Sequence, residues 1–377
     1  MGTTVGPERK SGRLRLALIS LLLACLLGLV GALVIWSRGT VRPLLDSEGR
    51  PLPNSISEKI WVDINGIEQG MFIESENDAN PVLLVVHGGP GMPDHFLTNR
   101  YPTGLEELFT VVWWEQRGTG LSYRSDIPAE TMTVDQFVAD TLAMTNYLRA
   151  RFGKEKIYLM GHSWGSFIGI EAAAQAPQLY DAYIGMAQMS YQLESERLAY
   201  EFMLERFKQK GDTKMVRRLE RAPVTATGGT PDGYLALRDK GMHSLGIGTT
   251  HDMKSVISGI FIPSWLASEY NLREKINLWR GRSFSRGFGL WDKVLRTDLS
   301  TVVPSLEIPV YFFHGRYDYT CSYDLARQYF RQLDAPLKGF YTFEHSAHSP
   351  VLEEAEKARS ILREDVLAGS IAHADTT

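Results

Sequence analysis

The hydropathy pattern opens with an uncharged apolar run over residues 16–36, which follows a basic N-terminal segment. A run of this length can cross a bilayer core of about 30 Å at about 1.5 Å per residue. The basic residues that flank it are Arg9, Lys10, Arg13 and Arg15 before the run and Arg38 and Arg42 after it. Because the more basic flank tends to stay in the cytoplasm, the pattern predicts a single-pass membrane protein. Residues 1–15 would be cytoplasmic, residues 16–36 would form the transmembrane anchor, and the remaining chain would be extracytoplasmic.

A cleaved signal peptide is the alternative interpretation of the same run. Signal peptides have an apolar core of only about 7–15 residues and a small-residue cleavage site. Here the small pair Gly31 and Ala32 is followed by further apolar residues up to Trp36. The sequence therefore favours an uncleaved anchor.

Short strand patterns alternate with helical ones beyond a Gly- and Pro-rich linker, residues 37–57. Asn65-Gly66 predicts a hairpin turn, and Thr133 begins a capping-box pattern for a helix that ends near Phe152. Strand patterns cover residues 59–64, 70–73, 82–86, 109–114, 156–160, 181–187, 308–313 and 339–343, and Ser349-Pro350 predicts the start of a closing helix. This alternation is typical of the α/β class, with a mostly parallel sheet covered by helices on both faces.

The sequence pattern changes between residues 190 and 306, where helical patterns such as residues 194–210 dominate. We interpret residues 190–306 as a helical cap inserted into a core that consists of residues 58–189 and 307–369.

Composition excludes few functions. The chain has 377 residues, 44% of them hydrophobic and 22% charged, which is ordinary for a globular protein. The formal net charge of −4 provides no basic field for nucleic acid. The 2 cysteines do not indicate a disulfide framework.

Residues 161–165 read Gly-His-Ser-Trp-Gly and follow an apolar run. This G-x-S-x-G pattern is typical of a sharp strand-to-helix turn that exposes a nucleophilic serine, here Ser163, between small residues. A serine hydroxyl needs a base, and the base needs a third group to orient it.

In this architecture the acid and then the histidine follow the serine along the chain. Asp318 follows the strand pattern that ends at residue 313, and His348 follows the next strand pattern and precedes the closing helix. His345 competes with His348, which we favour because it lies later in the loop. His162 is expected to contribute packing. The isolated histidines, which show no metal-ligand spacing, are His95, His243, His251, His314 and His373.

Residues 87–91 read His-Gly-Gly-Pro-Gly and follow the strand pattern 82–86. A loop in this position supplies backbone N–H groups to a developing oxyanion. The expected donors are Gly89 and Trp164, the residue after the serine.

Residues 87–91, residues 115–122 (Glu-Gln-Arg-Gly-Thr-Gly-Leu-Ser) and residues 161–165 together resemble the α/β-hydrolases of the proline iminopeptidase type. The resemblance covers residues 60–367. It implies the α/β-hydrolase fold with a helical cap, a serine triad, and no metal or organic cofactor. Glu115 stands where those enzymes usually have Asp, and His162 stands where many have Gly.

In peptidases of that type, cap carboxylates hold the free amine of the substrate. The carboxylates available here, none of which matches a motif, are Glu194, Glu196, Glu201 and Glu205. The sequence thus predicts a membrane-anchored serine hydrolase that forms an acyl-enzyme with a small-molecule or short-peptide substrate. Proline iminopeptidase-like aminopeptidase activity is the first expectation. A carboxylesterase or lactonase is the rival, because an ester requires only an apolar acyl pocket. A non-catalytic binding protein would be expected to lack a member of the triad, and all three candidates are present.

Overall fold

The computed structural model describes residues 8–376, with side chains from residue 14 onward. Residues 1–7 of the predicted cytoplasmic segment lie outside the described residues. Helix α1 (Glu8–Trp36) contains the predicted anchor, and its stretch Leu14–Trp36 is long and apolar enough to cross a membrane.

A single eight-stranded sheet forms the centre of the described chain. Its strands are β1 (Ile56–Ile64), β2 (Ile67–Ser75), β3 (Val82–Val86), β4 (Thr110–Trp114), β5 (Ile157–His162), β6 (Tyr180–Met186), β7 (Val310–Gly315) and β8 (Lys338–Phe343). Their order is β1-β2-β4-β3-β5-β6-β7-β8, and the ladders from β4 to β8 are parallel, whereas β1 and β2 pair antiparallel. The mostly parallel sheet predicted from the sequence is confirmed.

Thirteen α-helices are described, seven of them between β6 and β7. They are α1, α2 (Val134–Phe152), α3 (Trp164–Gln175), α4 (Gln192–Gln209), α5 (Thr213–Glu220), α6 (Asp232–Leu245), α7 (Ile262–Leu266), α8 (Leu272–Ser285), α9 (Leu290–Arg296), α10 (Leu299–Val302), α11 (Tyr323–Gln332), α12 (Pro350–Glu353) and α13 (Ala355–Ile361). π-Helical turns span Ile257–Phe261 and Leu362–Val366.

The sheet is buried on both faces, as its continuous apolar strands require. Along β3, Leu84 and Val86 pack into one hydrophobic cluster, while Leu83 and Val85 pack into the cluster on the opposite face. This alternation follows from the two-residue period of a strand. The helices between β6 and β7 have a separate small core that includes Met203.

Side-chain hydrogen bonds alter two of the structures predicted from the sequence, the capping box at Thr133 and the closing helix. Thr133 caps α2 by accepting from the Gln136 N–H, but the Gln136 amide donates to Asp140 and so does not complete the capping box. The closing helix divides at Glu354, where φ is −126° and ψ is 56°. The Glu353 and Glu354 carboxylates accept backbone N–H groups from the preceding loop, which pulls the chain away from a continuous helix.

The predicted linker is not free along its whole length. The Gly39 N–H donates to the Ser268 carbonyl at 3.0 Å, and Lys275 Nζ lies 2.9 Å from Ser37 Oγ. Residues that directly follow α1 are therefore packed against the cap.

Candidate active site

The turn that carries Ser163 is tightly packed. Strand β5 ends at His162 and helix α3 begins at Trp164, and Ser163 between them has φ 55° and ψ −119°. A positive φ is rare for a residue with a Cβ and persists only where the surroundings impose it. A Cβ at Gly161 would lie 2.5 Å from the Gly165 carbonyl oxygen. The turn therefore tolerates only glycine at this close approach, and it projects Ser163 from the carboxyl edge of the sheet.

Strands β7 and β8 end at the same edge of the sheet, and the loops that follow them bring Asp318 and His348 together. Asp318 lies just beyond β7 and His348 just beyond β8, with 2.9 Å between Asp318 Oδ2 and His348 Nδ1. His345 is exposed, and its backbone N–H donates to Glu354. The structure thus brings His348, and not His345, to the carboxylate.

The surroundings of Asp318 favour its ionised form. Burial alone would raise the pKa of Asp318, but the imidazoles of His348 and His314 and the Cys321 N–H outweigh burial, and the pKa lies below its ordinary value. Asp318 Oδ1 accepts the backbone N–H groups of Thr320 and Cys321 at 2.8 Å and 2.9 Å. Oδ2 lies 2.9 Å from His348 Nδ1 and 3.4 Å from His314 Nε2. A carboxylate at Nδ1–H of His348 directs its Nε2 lone pair outward as a base.

Ser163 belongs to the same cluster of side chains. The His162 and His348 rings are 5.1 Å apart between centroids. Burial and the Asp318 carboxylate raise the pKa of the Cys321 thiol well above its ordinary value, although a hydrogen bond with Ser163 lowers it. The Cys321 N–H also binds Asp318. The three predicted triad residues therefore share one buried corner at the ends of β5, β7 and β8.

The His-Gly-Gly-Pro-Gly loop runs alongside the serine. A Cβ at Gly88 would lie 3.3 Å from Ser163 Cβ, and Gly89 has φ 124°, which favours glycine. Within residues 8–376, neither the Gly89 N–H nor the Trp164 N–H donates to another protein group. Both predicted oxyanion donors are thus available to a ligand beside Ser163.

Gln116 connects the loop to the turn. Its side-chain Oε1 accepts from Trp164 Nε1 at 2.8 Å, and its Nε2 donates to the His87 carbonyl at 2.8 Å. Its backbone N–H lies 3.1 Å from His87 Nε2. One amide side chain therefore fixes the spacing of the two segments that carry the predicted oxyanion donors.

Glu115, which stands where the enzymes that this chain resembles usually have Asp, contacts a residue of the cap. Its carboxylate accepts from the Tyr270 hydroxyl and from the Leu121 N–H, each at 2.5 Å. Burial raises the pKa of Glu115 to about 7, although both of these hydrogen bonds lower it. The longer side chain thus ties the loop after β4 to the start of α8 in the cap.

His162, the second departure, has a larger role than the packing expected from sequence. Its Nδ1 lies 2.7 Å from Asp94 Oδ2 and its Nε2 lies 3.0 Å from the His348 carbonyl oxygen. Both partners are acceptors, and this pair of contacts favours the imidazolium form of His162, in which both ring nitrogens carry a proton. Burial lowers the pKa of His162, but the Asp94 carboxylate outweighs this and the net shift is upward. Asp94 also accepts the Gly88 N–H at 3.4 Å.

The His162–Asp94 pair therefore braces the predicted oxyanion loop on one side and the His348 backbone on the other. Sequence reasoning missed Asp94, although it lies only a few residues beyond the His-Gly-Gly-Pro-Gly motif and faces the one unusual residue of the serine turn. The available signals were an acidic residue shortly after the motif and an unusual histidine in the serine turn, but they lie 68 positions apart in the chain and only the fold shows that they meet.

Replacing Asp94 by Asn should lower kcat by about two orders of magnitude, because misplacement of reacting groups by about 1 Å costs this much.

The same substitution should change how thermal stability depends on pH. A group whose pKa is higher in the folded than in the unfolded protein contributes stability below its unfolded pKa, and this contribution is lost as pH rises through its folded pKa. His162 is such a group, and its pKa falls when the Asp94 charge is removed. The alkaline loss of thermal stability should therefore begin at lower pH in Asp94→Asn. Melting temperatures and kcat between pH 5 and 9 measure both effects, with the exposed Asp126→Asn as control. An unchanged kcat would contradict the bracing role.

One cap carboxylate lies inside the molecule. Glu196 is fully buried and forms a two-pronged ion pair with Arg238, with both N···O distances 2.7 Å. Gln192 Nε2 lies 3.0 Å from Glu196 Oε1 and 2.7 Å from the Thr320 carbonyl oxygen. Glu196 is thereby linked to the loop that contains Asp318.

The other predicted carboxylates lie on the outer side of α4. Glu194 and Glu201 both pair with Arg197, and Glu205 accepts from Gln209. The structure therefore separates Glu196 from these three. The sequence spacing did not reveal its partner Arg238, which lies on α6.

Comparisons with known proteins agree with this architecture. The family described as the alpha/beta hydrolase fold matches residues 81–355. The probable aminopeptidase YbaC of Bacillus subtilis (strain 168) is 34% identical over 306 residues, which cover 81% of this chain and 94% of that protein. The proline iminopeptidase of Heyndrickxia coagulans is 24% identical over 310 residues, covering 80% and 96%.

A solved structure has the same fold. The proline iminopeptidase-related protein of Thermus thermophilus superimposes with a TM-score of 0.56 at 21% sequence identity, over 83% of this chain and 99% of that one. The fold and its peptidase-named relatives define a hydrolase, either a peptidase or an esterase. The chain belongs to the alpha/beta hydrolase family, and its similarity to proline iminopeptidases agrees with the resemblance inferred from its motifs.

Proposed function

We propose that this protein is a membrane-anchored serine aminopeptidase that releases an N-terminal residue through an acyl-enzyme. The observation that carries the proposal is the buried pair of Asp318 and His348 next to Ser163, with two backbone N–H groups available beside the serine. The names of the relatives support an aminopeptidase.

In the acylation step, Ser163 Oγ attacks the carbonyl carbon of the scissile amide while His348 Nε2 takes the hydroxyl proton. Asp318 stabilises the imidazolium that forms. The carbonyl oxygen becomes an oxyanion, which the N–H groups of Gly89 and Trp164 receive. The tetrahedral intermediate collapses as the C–N bond breaks, and His348 gives its proton to the departing amine.

In the deacylation step, His348 removes a proton from a water molecule, which attacks the ester carbonyl of acyl-Ser163. The same two N–H groups stabilise the second oxyanion. The C–O bond to Ser163 then breaks, the serine oxygen recovers a proton from His348, and the free acid leaves. This sequence restores every protein group to its starting state.

The cap determines which substrate class fits. Glu196 is the buried cap carboxylate linked to the Asp318 loop, and it is the residue we propose to attract the free amine of a peptide. Arg238 already occupies both of its oxygens, and this specific observation favours the second candidate, an esterase or lactonase. An ester substrate would require no free carboxylate in the cap.

A matched set of substrates separates these two functions. We expect hydrolysis of a proline arylamide that has a free amine, strong loss of activity when that amine is acetylated, and a raised KM for the free amine in Glu196→Gln. The exposed Glu201→Gln serves as the control and should behave as the unaltered protein does. Faster hydrolysis of short acyl esters, with no sensitivity to Glu196→Gln, would instead establish the esterase.

The anchor predicts a separate outcome. Burial of about 20 apolar residues in lipid does not depend on ionic attraction, so neither high salt nor carbonate should weaken it. The full-length protein should therefore remain in the membrane fraction after both washes. Protease added outside intact cells, or spheroplasts where an outer membrane intervenes, should digest the region beyond Trp36. A mature protein free in the medium that begins beyond Ala32 would show that the segment is a cleaved signal peptide.

A further inference from the structure

An apolar helical ridge projects from the cap. Residues 255–268 contain no charged side chain, and we call their helical part, Ile257–Leu266, the cap ridge. Ile257 is 65% exposed and Leu266 is 58% exposed. The exposed apolar residues of the ridge and of the adjacent α8 are Ile257, Phe261, Ile262, Leu266 and Ile276. Isolated exposed apolar residues are ordinary, but a contiguous group marks an interaction surface.

The cap ridge meets the end of the anchor helix. Trp36, the last residue of α1, donates its indole N–H to the Leu266 carbonyl at 2.5 Å. Lys275 Nζ lies 2.9 Å from Ser37 Oγ and 2.8 Å from the Trp265 carbonyl oxygen. The C-terminal end of the ridge is therefore held at the level where the apolar span of α1 ends.

The backbone and the side chains of the cap ridge are also suited to contact with lipid. Its backbone is helical, so most of its N–H and C=O groups are paired within the segment and need no water. The Ser264 hydroxyl is buried and donates to the Phe261 carbonyl at 2.8 Å. The groove beside the ridge contains Trp265, Trp279 and Arg280. Tryptophan is enriched at the membrane–water boundary, where the long side chain of arginine can keep its charge in water.

We propose that the cap ridge is a second membrane contact, which inserts into the leaflet where the anchor ends and holds the cap against the lipid surface. This proposal rests on the proposed anchoring of α1. Continuity with the anchor selects lipid as the occupant, because the residue that ends the span is bonded to the residue that ends the ridge.

This contact would act on the active site through α8. A Cβ at Gly91 in the predicted oxyanion loop would meet Ser285 Cβ at 2.9 Å and Arg282 Cα at 3.0 Å, so α8 packs directly on that loop. Trp279 of α8 in turn packs against Phe261 of the ridge, with 5.0 Å between ring centroids. Lipid bound at the ridge would therefore restrain the helix that covers the oxyanion loop.

The test uses the full chain in lipid nanodiscs of phosphatidylcholine and phosphatidylglycerol, with Cys25 replaced by Ser. Cys321 is buried and should not react with a label. A nitroxide is attached at Phe261→Cys or at the matched exposed control Val302→Cys, which lies on α10 outside the ridge. Collision rates with oxygen, which concentrates in lipid, and with a neutral nickel chelate, which stays in water, are then compared. Melting temperatures verify that each labelled variant is folded.

We expect several-fold less nickel contact and more oxygen contact at residue 261 than at residue 302. Equal nickel contact at both sites in carbonate-resistant preparations would overturn the ridge contact while leaving the anchor intact. Spin–spin broadening at residue 261 would also overturn it, because a second copy of the chain would then occupy the ridge. Release of the protein by carbonate would instead contradict the anchor, and this proposal with it.

Discussion

Ser163→Ala is expected to lower kcat by roughly 10⁶-fold while leaving the fold unchanged, since loss of a triad nucleophile has about this effect in a comparable enzyme. Ser163 adopts φ 55° in a turn held by glycines, and its side chain is not required to shape that turn. The variant should therefore melt at the temperature of the unaltered protein. A fluorophosphonate probe, which reacts with activated serines, should label the unaltered protein and not the variant.

Ser166 provides the matched control for this experiment. It is buried one turn further along α3, and its hydroxyl donates to the Ser163 carbonyl at 2.6 Å. Ser166→Ala should retain probe labelling and lose activity far less than Ser163→Ala does. Near-normal turnover by a folded Ser163→Ala protein would remove the serine mechanism and with it the proposed acyl-enzyme.

The fold was predictable because its signals are local. The unbroken apolar run that forms β3 requires burial on both faces, and the Asn65-Gly66 dipeptide forms the hairpin turn with positive φ at both residues. The alternation of strands and helices then leaves few topologies apart from a mostly parallel sheet. These signals depend on neighbouring residues only, so a sequence contains them in full.

The braces around the candidate site were not predictable, because they join residues that are distant along the chain. Glu196 meets Arg238 across two cap helices, and His162 meets both Asp94 and the backbone of His348. Four glutamates on one predicted helix looked equivalent in sequence. Only the packing of α4 against α6 distinguishes the buried carboxylate from those that face solvent.

The contact between helix α1 and the cap was unpredictable for a similar reason. Composition correctly indicated a long apolar helix followed by a Gly- and Pro-rich segment, but such a segment predicts a flexible tether. Its first residues instead bond to Ser268 and Lys275, which lie more than 200 positions away in the chain. The position of the cap relative to helix α1 therefore depends on contacts that the local sequence pattern does not encode.

His348→Ala should be nearly as damaging as loss of the serine, whereas His345→Ala should be mild. His348 is the histidine bonded to Asp318, and it is the group we expect to take the Ser163 proton and pass it to the leaving group. His345 lies in the same loop but is exposed, and it binds Glu354 through its backbone N–H, which alanine retains. The two variants thus change the same residue type in one short loop and differ in contact with the acid.

The comparison is made on kcat, on kcat/KM and on melting temperature. We expect His348→Ala to keep substrate affinity and lose turnover, because the base acts in the transition state and not in binding. Asp318→Asn should lower kcat by about 10⁴-fold in parallel, since the amide would favour the wrong tautomer of the base. If His345→Ala were the inactive variant, or if Asp318→Asn had no effect on a folded protein, the acid–base pair identified at the ends of β7 and β8 would not be the one that serves Ser163.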